Sequence, residues 1–207
     1  MVIKNIVFDI GNVLADFKWE EYYNRFGYEK EILDKLAHAT VKSKYWSEFD
    51  KGIMTEEEIL QAFIRIEPTI EKEIRTVLKN MGDMVVKNDY AIPWIQSLKA
   101  KGYQIYIISN FSEKGFDECK KALDFMEYVD GSIISYREKL IKPDHKIYHT
   151  LLERYQLKAE ECVFLDDMPQ NIAAAKEVGM QGIIFQNQNQ AIEELEKLGV
   201  KQDTLHK

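Results

Sequence analysis

Ile3-Lys4-Asn5-Ile6-Val7-Phe8-Asp9-Ile10-Gly11-Asn12-Val13-Leu14 stands near the start of the chain and decides how the rest is read. Ile6, Val7 and Phe8 form a short apolar run with β-branched residues. Such a run reads as a strand buried on both faces, as in a parallel sheet. Asp9 follows directly, so a carboxylate stands where the strand ends and the chain turns. In open α/β sheets ligands bind at that place. An aspartate that only caps a turn satisfies the same local pattern. The rest of the chain has to separate the two readings.

Downstream, the pattern from Lys18 to Met84 is helical. Trp19, Tyr22, Tyr23 and Phe26 recur at helix spacing, with Gly27 as a stop. Ile32, Leu33, Leu36 and Ala37 mark a second helix. Tyr45, Trp46 and Phe49 mark a third, closed by Gly52. Thr55 with Glu58 is a capping box ahead of Ile59, Leu60 and Phe63. Pro68 ends that helix, and Ile70, Ile74, Val77 and Leu78 mark another. After Asn88, helix and strand alternate. The expected strands are 104–108, 131–134, 162–165 and 182–185. The expected helices lie around Ile92–Lys99, Phe116–Leu123, Ile147–Tyr155, Ile172–Val178 and Ala191–Leu198. The alternation argues for a doubly wound parallel sheet covered on both faces. The division this suggests is an α/β core from 1–15 and 88–207, with an inserted α-helical cap from 16–87. The polar tail, 201–207, is expected to fray.

The totals restrict function. The 207 residues suit one domain with an insertion, and 45% hydrophobic against 30% charged residues marks a chain that buries a core. A formal net charge of -7 makes nonspecific nucleic-acid binding a poor reading, and an anionic substrate would need a local positive site. Cys119 and Cys162 have no metal-ligand spacing and read as core or surface thiols in a reducing compartment. No apolar run is long enough to cross a membrane. Asp9 comes too early for a signal peptide to precede it, so a cytoplasmic location is the default expectation.

Four polar sites follow strands or precede helices: Asp9; Ser109 with Asn110; Lys142; and Asp166 with Asp167. In a parallel sheet the carboxyl ends of the strands share one edge, so these residues can converge. Chemically they form a set. A carboxylate can attack phosphorus. Adjacent acids can hold Mg²⁺, a hard cation that prefers oxygen. A lysine and a hydroxyl can neutralise phosphoryl oxygens in the transition state. Each piece has a plain alternative: a solvated acidic turn, a surface lysine, a helix N-cap at Ser109-Asn110. The order and spacing of all four is far more specific than any one.

With those motifs in view, the sequence resembles the haloacid-dehalogenase-like hydrolase superfamily. The resemblance rests on Phe8-Asp9-Ile10-Gly11-Asn12-Val13, Ile107-Ile108-Ser109-Asn110, Lys142-Pro143-Asp144, and Phe164-Leu165-Asp166-Asp167-Met168-Pro169-Gln170-Asn171. It covers nearly the whole chain, and the Asp-Ile-Gly-Asn-Val form is most similar to the bacterial α-glucose-1-phosphate phosphatase branch. It implies a Rossmann-like core, a helical cap and a Mg²⁺-dependent phosphatase acting on a small phosphorylated metabolite, a sugar phosphate among the candidates. It implies Asp9 as nucleophile and Lys142 as the charge that orients nucleophile and phosphate. Ser109, Asn110 and Gly11 would join Lys142 in holding the phosphoryl group. Asp9, the Gly11 carbonyl, Asp166 and Asp167 would hold Mg²⁺, with Asp167 in direct contact.

One position departs from the family pattern. Where most phosphatases of the superfamily carry a second aspartate as general acid and base, this chain has Gly11. General acid–base help is worth ~10²–10⁴-fold. Asp16, Asn12 or a cap residue could substitute, and the sequence selects none of them. Gly11 therefore keeps open a weakly catalytic binding or regulatory protein. A 2-haloacid dehalogenase, which shares the aspartate nucleophile but needs no metal, is disfavoured by the Asp166-Asp167 pair. Trp19, Tyr22, Tyr45, Trp46 and Phe49 read as cap core, with Trp46 or Tyr45 facing the site as the alternative. His38, His145, His149 and His206 show no pairing and read as structural or exposed. Gly115 and Gly131 read as turn residues.

Overall fold

The run Asn5–Phe8 forms strand β1, and all four of its residues are buried. The computed structural model describes residues 2–201; the expected fraying tail falls outside them apart from Lys201. After β1 come β2 (Ala15–Phe17), α1 (Trp19–Asn24), α2 (Lys30–Ala39), α3 (Lys44–Lys51), α4 (Glu56–Ile66), α5 (Glu71–Leu78) and β3 (Val85–Lys87). The second stretch runs α6 (Ala91–Ala100), β4 (Gln104–Ser109), α7 (Glu113–Glu118), β5 (Gly131–Ile134), α8 (Ser135–Glu138) and α9 (His145–Arg154). It ends with β6 (Cys162–Asp166), α10 (Pro169–Glu177), β7 (Gln181–Ile184) and α11 (Gln188–Lys197).

The main sheet has the order β5-β4-β1-β6-β7, and every pairing in it is parallel. The chain leaves β1 toward β4 on one side and returns to β6 on the other, so the order reverses at β1. That switch point opens a crevice at the carboxyl end of β1, where Asp9 stands.

Alternation along each strand builds two apolar layers. Ile6, Phe8, Ile105, Ile107, Val163 and Leu165 face a layer that includes Trp94 and Leu98 of α6 and Leu195 of α11. Val7, Tyr106, Ile108 and Phe164 face Ile147, Tyr148 and Leu151 of α9 and Ile172 and Ala175 of α10. Helices on both faces explain why the central strands read as continuous apolar runs. The result is the Rossmann-like α/β fold that the sequence suggests.

Helices α1–α5 leave and rejoin this core between β2 and β3. The Thr55 capping box forms: the Glu58 N–H donates to Thr55 Oγ1 at 3.3 Å and the Thr55 N–H to the Glu58 carboxylate at 2.8 Å. Gly52 ends α3 in the left-handed conformation, φ 68°. There a Cβ would come within 3.0 Å of Tyr136 Cβ, so glycine admits both the turn and the contact of α3 with α8.

Three details differ from the sequence reading. β2 and β3 pair antiparallel, Ala15 with Lys87 and Phe17 with Val85. Three residues each are too short to show a period. The helix expected at Phe116–Leu123 runs earlier and ends at Glu118. Beyond it the chain breaks into turns and a 3-10 helix, Asp124–Tyr128, that bury Cys119, Leu123 and Phe125 in the core. Gly115 lies within α7, where a Cβ would stand 2.9 Å from Ser112 Oγ. Gly131 begins β5, where a Cβ would stand 2.3 Å from the Tyr155 ring. Both glycines serve close approach rather than turns. No helix of the described residues is long and apolar enough to cross a membrane.

Candidate active site

The carboxyl ends of β1, β4 and β6 and the loop before α9 bring the polar motifs to a cleft of about 220 Å³. Asp9, Gly11, Asn12, Ser109, Asn110, Lys142 and Asp167 all line it. Asp9 is held by its own turn: the Ile10 N–H donates to Asp9 Oδ1 at 2.7 Å. Ser109, the last residue of β4, hydrogen bonds the same carboxyl.

Lys142 lies at the centre. Its side chain is 1% exposed, and its ammonium lies 2.8 Å from Asp9 Oδ1 and 2.7 Å from Asp166 Oδ2. Asn110 fixes the lysine backbone from both sides. The Lys142 N–H donates to Asn110 Oδ1 at 2.8 Å, and Asn110 Nδ2 donates to the Lys142 carbonyl at 3.2 Å. Pro143 disfavours helix at Lys142, and Asp144 caps α9 just beyond by accepting the Lys146 N–H. The lysine therefore stays on a loop at the sheet edge.

Asp166, the last residue of β6, has both oxygens engaged. It accepts the Met168 N–H at 2.8 Å, Asn171 Nδ2 at 3.0 Å on each oxygen, and the Lys142 ammonium. Asp167 is more open and accepts Asn12 Nδ2 at 2.9 Å. Asn12 reaches it from a left-handed backbone, φ 55°, and its Oδ1 accepts the Phe17 N–H, which ties this loop to β2.

Burial pushes the Asp9 carboxyl up to about 7, against the pull of Lys142. Burial also works against the lysine's charge, but Asp9 and then Asp166 outweigh it and hold Lys142 above its ordinary value. Asp167 is raised by burial, with Asn12 opposing.

Asp9, Asp166 and Asp167 each present a carboxylate oxygen within 4.8 Å of the other two. Three carboxylates against one ammonium leave excess negative charge among hard oxygen donors, a set that fits Mg²⁺. Asp167, the least saturated of the three, is the one best placed for direct contact.

The family model of the haloacid dehalogenase-like hydrolases matches residues 3–179, and the chain belongs to that family. Among curated proteins it is 24% identical to a flavin mononucleotide hydrolase of Arabidopsis thaliana, over 94% of this chain and 77% of that one. It is 26% identical to a D-ribitol-5-phosphate phosphatase of Bacteroides thetaiotaomicron, over 92% of this chain and 94% of that one. A solved structure of a family enzyme from Bacteroides thetaiotaomicron, in complex with magnesium and inorganic phosphate, has the same fold. It matches at a TM-score of 0.68 and 21% identity, covering 89% of this chain and 94% of that one.

The cleft also contains residues that sequence reasoning did not select. Phe17, Met81, Met84 and Phe111 line it, as does Trp46, the alternative weighed for that residue; Tyr45 does not. Asp50, from the last turn of α3, lines it too. Asp16 is turned away, accepting Asn88 Nδ2 at 3.2 Å and pairing with Lys18 at 3.4 Å. Two histidines expected to be unpaired have partners on the surface: His38 with Glu67 at 3.0 Å and His145 with Glu177 at 2.8 Å. His206 lies outside the described residues.

Proposed function

We propose that this enzyme is a Mg²⁺-dependent phosphoric monoester hydrolase that acts on a small phosphorylated metabolite through an aspartyl-phosphate on Asp9. The observation that carries the reading is Lys142, a buried ammonium bridging Asp9 at 2.8 Å and Asp166 at 2.7 Å beside the cluster with Asp167. An Asp9 oxygen attacks phosphorus as the bond to the leaving oxygen breaks; water then cleaves the acyl phosphate and restores the carboxylate. Lys142, Ser109 and Asn110 hold the phosphoryl oxygens, and Lys142 offsets charge that grows in the transition state. Asp9, the Gly11 carbonyl, Asp166 and Asp167 would hold Mg²⁺, which when bound supplies Lewis-acid stabilisation of the phosphoryl group.

The same reading takes 16–87 as a cap over a core of 1–15 and 88–207. Phe17, Trp46, Met81 and Met84 then face the carbon skeleton of the ester. A cleft of about 220 Å³ suits a small ester such as a sugar phosphate. The named activities of the Arabidopsis and Bacteroides relatives, both on small phosphate esters, support it. A metal-independent dehalogenase would have little use for the three clustered carboxylates.

The test is phosphate release over a panel of phosphate esters with Mg²⁺, including hexose 1- and 6-phosphates. We expect turnover of at least one ester, its loss with a chelator, and its loss in a folded Asp9→Asn variant. No turnover on the panel, or turnover indifferent to chelator and to Asp9→Asn, overturns the reading.

A further inference from the structure

Hydrolysis of an alkyl phosphate needs a proton at the leaving oxygen and then the removal of one from water. The titratable side chains among the described residues that line the cleft are Asp9, Asp50, Cys119, Lys142 and Asp167. Asp9 is occupied with bonding to phosphorus in the proposed reaction. Lys142 is locked between two carboxylates and stays charged. Burial pushes the Cys119 thiol up to about 12. Asp167 is held by Asn12 and faces the cation site. We infer that Asp50 is the catalytic acid and base, supplied to the core cleft from the helical segment between β2 and β3.

The placement of Asp50 is built rather than incidental. Ser135 Oγ, at the start of α8, donates to the Asp50 carbonyl at 2.5 Å. The same hydroxyl accepts the Phe111 N–H at 2.8 Å, so one serine joins α3 to the loop after β4. Lys139 Nζ donates to the Gly52 carbonyl. The Ser112 N–H bonds the Asp50 carboxylate itself. These contacts hold the carboxylate in the cleft wall and keep α3 on the core.

The charged groups that act on it are Asp9 from the β1 turn and Lys142 from the loop before α9. Burial pushes the Asp50 carboxyl up to about 7; the Ser112 N–H and Lys142 oppose, and Asp9 adds to the rise. Gly11 complements this arrangement. A Cβ built there meets no heavy atom within 4 Å, so crowding does not explain the missing carboxylate at that position.

The inference rests on the phosphatase reading and gives the proton path of each step. First, the electron pair of the breaking phosphorus–oxygen bond takes the Asp50 proton, releasing the alcohol. Then the Asp50 carboxylate takes a proton from water as that oxygen bonds to phosphorus and Asp9 departs. Phosphate is released, and Asp50 is protonated again.

The experiment compares the unaltered enzyme with Asp50→Asn on two esters with Mg²⁺. One is p-nitrophenyl phosphate, whose leaving oxygen needs no proton; the other is the fastest alkyl phosphate of the panel. On the alkyl ester Asp50→Asn should lose ~10²–10⁴-fold in kcat. On the nitrophenyl ester it should release a burst of about one nitrophenolate per enzyme and then turn over slowly, because the aspartyl-phosphate still forms but its hydrolysis lacks a base. Gly11→Asp placed in the Asp50→Asn background should restore part of the alkyl-ester rate. Full activity of Asp50→Asn on both esters, or an equal loss on both without a burst, overturns the inference. Inactivity of the unaltered enzyme on both esters instead overturns the phosphatase reading beneath it. Should Asp50→Asn fail to fold, the unaltered enzyme decides. Its rate on the alkyl ester relative to the nitrophenyl ester should fall as pH rises and the Asp50 carboxyl loses its proton, and a ratio indifferent to pH overturns the role.

Discussion

Around Lys142 the carboxylates of Asp9, Asp166 and Asp167 gather against one ammonium, and a phosphate ester would add further negative charge. A charge at 4 Å in an effective dielectric of 20 interacts by roughly 4 kcal/mol, and each ~1.36 kcal/mol of barrier is tenfold in rate. Lys142→Ala should therefore lower kcat/KM for phosphate release by at least ~10²-fold. Lys142→Arg should restore little, since a planar fork cannot occupy the point between Asp9 and Asp166. The same deletion leaves Asp166 buried and short of a partner, which costs ~3–5 kcal/mol of stability, measurable by urea unfolding. Unaltered kinetics in Lys142→Ala would remove the lysine from the site. Asp9, Ser109, Asn110, Lys142 and Asp167 were legible in the sequence as lining one place because each follows or adjoins a strand end, and parallel strands share an edge. The geometry of Asn110 was not legible: both ends of its amide engage the Lys142 backbone, a contact between loops. Nor was Asp50, whose approach to the cleft depends on how α3 docks against α8. An acid before Lys51 and Gly52 carries no local signal of that docking.

At the scale of elements, β5 and α9 interlock through Gly131. The Tyr155 hydroxyl accepts the Ser132 N–H at 2.9 Å, and its ring occupies the space a Cβ at 131 would need. Gly131→Ala should therefore displace Tyr155 and destabilise the protein by about 1–3 kcal/mol, read as a shift of the urea midpoint. Tyr155→Phe in the same assay should lose less, because the ring stays. A Gly131→Ala variant as stable as the parent would show that Tyr155 swings aside freely. A lone glycine ahead of Ser-Ile-Ile looks the same whether it makes a turn or admits a ring from a distant helix. That is why the strand was legible and the glycine's purpose was not. The capping box at Thr55 was legible because both halves of the reciprocal bond lie within one turn of chain. The ribbon of β2 and β3 joins segments separated by five helices, and three-residue strands show no periodicity to announce such a pairing.

For the molecule as a whole, the acidic balance, formally -7, meets a cluster of three carboxylates that a divalent cation would neutralise. A ligand bound only by the folded state stabilises by ~2.7 kcal/mol at a hundredfold excess over its dissociation constant. Mg²⁺ should therefore raise the thermal unfolding midpoint by several degrees, and Asp167→Asn should abolish most of the rise. An equal rise in that variant would place the cation elsewhere. The ribbon carries a last consequence. Because Phe17 pairs with Val85, the two ends of the helical excursion lie about 5 Å apart between Cα atoms, the spacing of neighbouring strands. The long detour thus ends almost where it began, and a two-residue hairpin turn could seal the gap it leaves. Asp9, Lys142, Asp166 and Asp167 come from outside that detour, and Asp50 and Trp46 from within it. On the roles proposed above, replacing the detour in a single genetic event would change both the wall that faces the ester and the group that carries the proton, and would leave the nucleophile's strand as it is.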